Sequence, residues 1–202
     1  MSVVSRTLLG CGASLLISAQ AARGAPNPTA FQLVKEGDRF VGEQSKGKVI
    51  QIQSEKSVGS LMPNVWTVVY YDPTATLKAT EVKFGAGKML EVKRPMRLVQ
   101  RVVGGNTPLD LDKLKVDSDQ AVQTVLKEPL LENIKATSTQ LKLQRVNDGA
   151  VLKDGSGDVV WQVRLWAAKL NNPERNVDIG EVWVSAADGK VVKTQLHLDR
   201  LT

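Results

Sequence analysis

His197 is the only histidine in the chain and Cys11 the only cysteine. Those two facts remove much chemistry before any fold is considered. A histidine that acts as a base or a metal ligand needs partners, and neither a second histidine nor a neighbouring cysteine is present. His197 shares its strand parity with Lys193 and Gln195, against Thr194, Leu196 and Leu198, so it is expected at solvent. Gly85-Ala86-Gly87-Lys88 has the glycine and lysine of a phosphate loop. That loop requires GxxxxGK[ST], and Met89 stands where a hydroxyl would hold magnesium, so a hairpin turn is expected instead. Asp110-Leu111-Asp112, Asp117-Ser118-Asp119 and Asp154-Gly155-Ser156-Gly157-Asp158 are acidic enough to suggest calcium. None has the alternating ligand loop closed by a distal glutamate, and capping and turn formation account for them. With no nucleophile–base pair, metal cluster or cofactor loop, the expectation is a protein that is not an enzyme and carries no cofactor.

The tryptophans are the more informative residues. Trp66, Val68 and Tyr70 fall on one face of a strand, and Trp161, Val163 and Leu165 fall on one face of another, so Trp66 and Trp161 are expected as core anchors. Trp166 and Trp183 have the opposite parity, and Tyr71 holds the position that corresponds to Trp166. The face that carries them also carries Gln162 and Arg164. Trp166, Trp183, Tyr71 and Arg164 are therefore the candidate partner-binding residues. They either pack on a sister repeat or form an exposed patch, since large aromatics on a polar face are candidate interface anchors.

Stepping outward, the elements that would position these residues are readable. Thr29 is a plausible N-cap for a helix to about Val41, with Gly37 weakening it. Val49 to Gln53, Asn64 to Tyr71, Leu77 to Phe84 and Met89 to Lys93 read as strands. Gly104-Gly105-Asn106-Thr107-Pro108 suits neither a helix nor a central strand and is read as a linker. Asp117 or Ser118 then caps a second helix, and Gln120 completes a capping box if Asp117 is the cap. Pro129 ends that helix. Gln140 to Val146, Val160 to Trp166 and Glu181 to Val184 are strands, and Asp188-Gly189 is the turn into a last one from Val191 to Leu196. Turns are also expected at Asn147-Asp148-Gly149 and Asp154 to Gly157. The unit is written twice: Val65-Trp66 matches Val160-Trp161, Glu81-Val82 matches Glu181-Val182, and Gly87-Lys88 matches Gly189-Lys190. The offsets lengthen along the chain, as expected if the second copy has longer loops.

The 202 residues are 42% hydrophobic and 24% charged, an ordinary globular mixture with enough chain for a sizeable core. No apolar run approaches the roughly 18 residues of a membrane span. Arg6, the apolar stretch Thr7 to Ala19 and Ala19-Gln20-Ala21 read as a signal peptide over residues 1–21. Leu8-Leu9-Gly10-Cys11 offers a lipoprotein alternative, in which Cys11 would be acylated. Export is thus expected, to the periplasm or the medium, and the mature chain would hold no cysteine for disulfides or thiolate chemistry. The net charge of +6 allows weak attraction to anionic surfaces. Basic and acidic residues are interspersed and aromatics are only 4%, which argues against nucleic acid.

The order of elements resembles the PepSY-type domain. The resemblance rests on the capped helix from Ser118 to Val122, on Val160-Trp161-Gln162-Val163, and on the hairpin from Val182 through Ala187-Asp188-Gly189-Lys190 to Val192. The first half keeps Trp66-Thr67-Val68 and Gly87-Lys88 but lacks the Asp of the turn. The resemblance implies α+β architecture, as two tandem cystatin-like repeats, each a helix on a three- to four-stranded antiparallel sheet. The first, divergent repeat would span residues 22–103 and the second 109–202, with the linker at 104–108. It also implies a non-catalytic module that binds an envelope or secreted protein, a peptidase among the candidates. The alternative is a small apolar or lipid-like ligand held between sheet and helix. Beyond this the sequence names no specific biochemical function.

Overall fold

The structure, a computed structural model, describes residues 27–95, 107–146 and 158–202. The signal peptide with Cys11, the linker residues Gly104 to Asn106, and the turns at 147–149 and 154–157 lie outside the described residues.

The first helix, α1, is Ala30–Gly37. Its cap is the expected Thr29, in extended conformation, whose N–H donates to Gln32 Oε1 at 3.0 Å. The helix stops four residues before the expected end at Val41. At Gly37 a Cβ would lie 2.3 Å from the Tyr70 hydroxyl, which itself donates to the Val34 carbonyl at 3.0 Å. Glycine is thus needed where the sheet's tyrosine docks against the helix. The second helix, α2, is Ser118–Leu126. Asp117 caps it: the Gln120 side chain accepts from the Asp117 N–H at 3.2 Å, and the Asp117 carboxylate accepts from the Ser118 N–H at 2.6 Å.

Eight strands follow the expected order: β1 Val49–Ser54, β2 Val65–Tyr71, β3 Ala79–Gly85, β4 Lys88–Lys93, β5 Ala136–Val146, β6 Asp158–Ala168, β7 Asn176–Ser185 and β8 Val191–Leu196. Between β3 and β4 the backbone has φ of 48° at Ala86 and 79° at Gly87, the paired positive values of a tight hairpin turn.

The expected architecture of two separate cystatin-like repeats, each with its own helix and sheet, is overturned. Among the described residues all eight strands form one antiparallel sheet in the order β4-β3-β2-β1-β5-β6-β7-β8, with two short α-helices. The join is the antiparallel pairing of β1 with β5, where Gln51, Ile52 and Gln53 face Gln144, Leu143 and Lys142. In separate repeats β1 and β5 would each present a row of unpaired main-chain groups. Paired, each satisfies the other.

The cores are joined as well. Trp66 and Trp161, the expected anchors, are both buried and meet edge to face, with centroids 6.5 Å apart at 80°. Each indole N–H finds a carbonyl: Pro63 O for Trp66 at 3.1 Å, Val116 O for Trp161 at 2.8 Å. The helices meet at their N-termini. Ala30 N–H donates to Ser118 Oγ at 3.0 Å, and Phe31 N–H donates to Asp117 Oδ1 at 3.2 Å. One carboxylate thus serves free amides of both helices, where the positive ends of their dipoles favour it. Ile52, Val68, Val82, Leu141, Leu143, Val163, Leu165, Val182 and Val184 complete this single core.

Candidate functional site

The residues that alternate with the core lie on the other sheet face. Register makes a row of them: Lys83, Thr67, Gln53, Lys142, Gln162, Trp183 and Lys193 stand opposite one another in adjacent strands. A second, shorter row holds Gln140, Arg164, Glu181 and Gln195. Between these rows runs a shallow groove of about 180 Å³, lined by Gln53, Gln140, Lys142, Gln162, Arg164 and Glu181 among others.

Three of the four candidate residues gather here. Trp183 is partly buried, and its Nε1–H donates to Glu181 Oε1 at 2.8 Å while Lys193 Nζ stands 4.5 Å from the ring centroid. Glu181 Oε2 in turn accepts from Gln162 Nε2 at 2.7 Å. Trp166, also partly buried, has Lys56 Nζ 4.5 Å and Arg164 Cζ 5.8 Å from its ring centroid. Such cation–π contacts contribute about 0.5–1 kcal/mol when exposed. Arg164 is fixed by Asp178, with Nε to Oδ2 at 2.8 Å and a second guanidinium nitrogen to Oδ2 at 2.6 Å.

That ion pair depends on a bulge that the sequence pattern hides. Leu165 faces Gly180 and Trp166 faces Asp178, so Ile179 is the extra residue of β7. Gly180 has φ of 106°, and its N–H donates to Asp178 Oδ1 at 2.9 Å. The bulge buries Ile179 and leaves Asp178 beside Arg164.

Tyr71 is not part of this group. It lies on the same face but at the end of β2, paired with Ala79 and packed on a small cluster of Ile50, Val69 and Ala79. Strands β1 and β5 separate it from the tryptophans. The expectation that Trp166 and Trp183 might pack on a sister repeat fails in its original form, because the two halves lie edge to edge. One residue of the first half, Lys56, does reach Trp166.

Sequence reasoning passed over the centre of the groove. Lys142 forms no ion pair among the described residues, and burial pushes its ammonium pKa down. Beside it Gln51 and Gln144 face each other, 2% and 5% exposed, and the Oε1 atom of each has no hydrogen-bond donor among the described residues. The alternation Gln51-Ile52-Gln53 and Gln140-Leu141-Lys142-Leu143-Gln144 marks a polar face in each strand. Only the β1–β5 pairing, far apart in sequence, makes one patch of them.

Asp72, directly after β2, is a second site that strand alternation passes over. It is buried, and burial pushes its pKa up. Hydrogen bonds from the hydroxyls of Thr74 and Thr80 and from the Thr74 amide, with Arg94 at 3.1 Å, outweigh that and hold it down to about 2.

His197 is exposed, and its main-chain N–H donates to Ile179 O. Asp110 pairs with Lys113 at 2.7 Å. Among the described residues no three His, Cys, Asp or Glu side chains are placed to hold a metal ion. On the helix side, a cleft of about 450 Å³ lies between α1 and residues 109–112. Phe31, Val34 and Leu109 line it, but Lys35, Asp38, Asp110 and Asp112 do too, so it is not an enclosed apolar cavity. No helix among the described residues is long and apolar enough to cross a membrane.

No family model matches the chain, no curated protein is similar to it, and no solved structure matches its fold.

Proposed function

We propose that the chain is a non-catalytic, exported module that binds an envelope or secreted protein through the polar sheet face. The observation that carries this reading is the placement of Trp166 and Trp183. Both are partly buried large aromatics on an otherwise polar face, held in orientation by Glu181, Lys193, Lys56 and Arg164. Aromatic residues fixed in this way lose little side-chain entropy when a partner encloses them, and such residues dominate binding energy at interfaces. Export rests on the reading of residues 1–21 as a signal peptide. A peptidase remains one candidate partner.

The test is capture from an envelope extract by the immobilised chain, followed by purification of the captured protein and titration against it. Trp183→Ala and Trp166→Ala should each weaken binding at least tenfold, about 1.4 kcal/mol. Capture that neither change affects would remove this face from the reading. N-terminal sequencing of the mature protein should find Ala22 first. A chain that retains Met1 in the cytosol would contradict export, and an acylated Cys11 would make it a lipoprotein.

A further inference from the structure

The groove's lining carries Lys142, Arg164 and Glu181, and two more ammonium groups, Lys56 and Lys193, stand over Trp166 and Trp183 on the same face. Lys56, Lys142 and Lys193 form no ion pair among the described residues, whereas Arg164 is neutralised by Asp178. The one carboxylate in the lining, Glu181, already accepts hydrogen bonds from Gln162 and Trp183. Lys142 sits at the centre, on a strand with neighbours on both sides. A partly buried ammonium without a counter-ion is costly, and the cost is recovered when a partner supplies a carboxylate.

Gln53, Gln140 and Gln162 supply side-chain amides to the lining, beside Ser54 and Leu141. Each already makes a hydrogen bond within the sheet, Gln53 accepting from Gln51, Gln140 donating to Ser54 O and Gln162 donating to Glu181, and an amide has two donor hydrogens and two acceptor lone pairs, so capacity is left for the N–H and C=O of a peptide main chain. The groove's 180 Å³ corresponds to about six water molecules at their liquid volume, room for one or two inserted side chains. Glu181 within the lining disfavours a dense polyanion such as a phosphate cluster or an anionic lipid surface.

We infer that this groove takes an acidic peptide segment of the partner protein, one Asp or Glu carboxylate pairing with Lys142 Nζ while Gln53, Gln140 and Gln162 engage the main chain and Trp166 and Trp183 flank it. The inference rests on the protein-binding reading of the same face and adds the chemistry of what is bound.

A random twelve-residue peptide library displayed on phage, panned on the immobilised full chain, tests it. Enriched peptides should carry Asp or Glu at one fixed position. For the best peptide made synthetically, Asp→Asn or Glu→Gln at that position should weaken binding at least tenfold. Lys142→Gln should weaken the acidic peptide by the same factor and leave the neutral peptide's affinity where it was. Lys142→Met, with its thermal midpoint measured alongside, guards against a simple folding defect and should repeat the loss. Enriched peptides without a fixed acid, or affinity unchanged by Lys142→Gln, overturn the inference. So does the enrichment of no peptide, or retention of phosphatidylglycerol vesicles in place of any peptide. In those cases capture of a folded protein that Trp183→Ala abolishes would leave the broader reading standing, and capture indifferent to Trp183 would remove both.

Discussion

Trp161 and Trp183 differ by one strand and one face, and their roles follow from that difference. Trp161 is 0% exposed, in contact with both Phe31 and Trp66. Its truncation to alanine should cost about 3–5 kcal/mol, the range for a buried large aromatic, and so should Trp66→Ala. Because the rings touch edge to face, the double variant should cost about 0.5–1.5 kcal/mol less than the two losses added, a coupling that denaturant unfolding of the four proteins measures. Asp72 supplies a pH signature. Its folded pKa of about 2 lies below the ordinary carboxylate value. Its contribution is therefore fully present above about pH 4 and is lost as the pH falls toward 2. At about 1.4 kcal/mol per unit the loss is about 2 kcal/mol. Asp72→Asn should be less stable than the unaltered chain at pH 7, and the gap should narrow by that amount toward pH 2. A gap that stays constant with pH would mean that the Asp72 carboxylate is not held by Thr74, Thr80 and Arg94. The alternation of Trp66-Thr67-Val68 and Trp161-Gln162-Val163 made the core tryptophans legible from sequence, because period two leaves only one choice of buried face. Only Thr74 is local to Asp72; its other partners, Thr80 on a neighbouring strand and Arg94 just past β4, are brought in by the fold.

At the scale of elements, most strands and both helix starts could be read in advance. Thr29 and Asp117 each stand three residues before a glutamine, and both glutamines fold back onto the cap amide. What could not be read was set by contacts across the fold. Residue 37 must be glycine because Tyr70 occupies the space a side chain would take, and β7 is longer than its apolar run because a bulge at Ile179 resets the alternation. The bulge offers a direct test. A Cβ at Gly180 would meet Gln195 O at 2.1 Å, and the backbone there has φ of 106°. Gly180→Ala should therefore destabilise the chain by roughly 1–3 kcal/mol or more from strain and clash. It should also loosen the Arg164–Asp178 pair, so Trp166 fluorescence should respond even where the chain remains folded. A change under about 0.5 kcal/mol would mean that the β7–β8 register differs from the one described.

At the scale of the molecule, the order of the strands was legible but their assembly was not. Separate repeats and a continuous sheet share the same local alternation, and only the pairing of Ile52 with Leu143 and Gln53 with Lys142 decides between them. One core and one sheet imply one unfolding unit. Trp66→Ala and Trp161→Ala should each lower a single thermal midpoint, with probes in the two halves reporting coincident transitions. Two separable transitions would restore independent repeats. The same architecture divides the labour of the two faces: apolar packing under the helices, a polar face with fixed tryptophans on the other side. Trp183→Ala tests that division most directly, read as stability and as affinity in the same protein. The account predicts a stability loss under about 1.5 kcal/mol, beside 3–5 kcal/mol for Trp161→Ala, together with at least a tenfold loss of partner capture. Severe unfolding by Trp183→Ala, or capture equal to that of the unaltered chain, would contradict it.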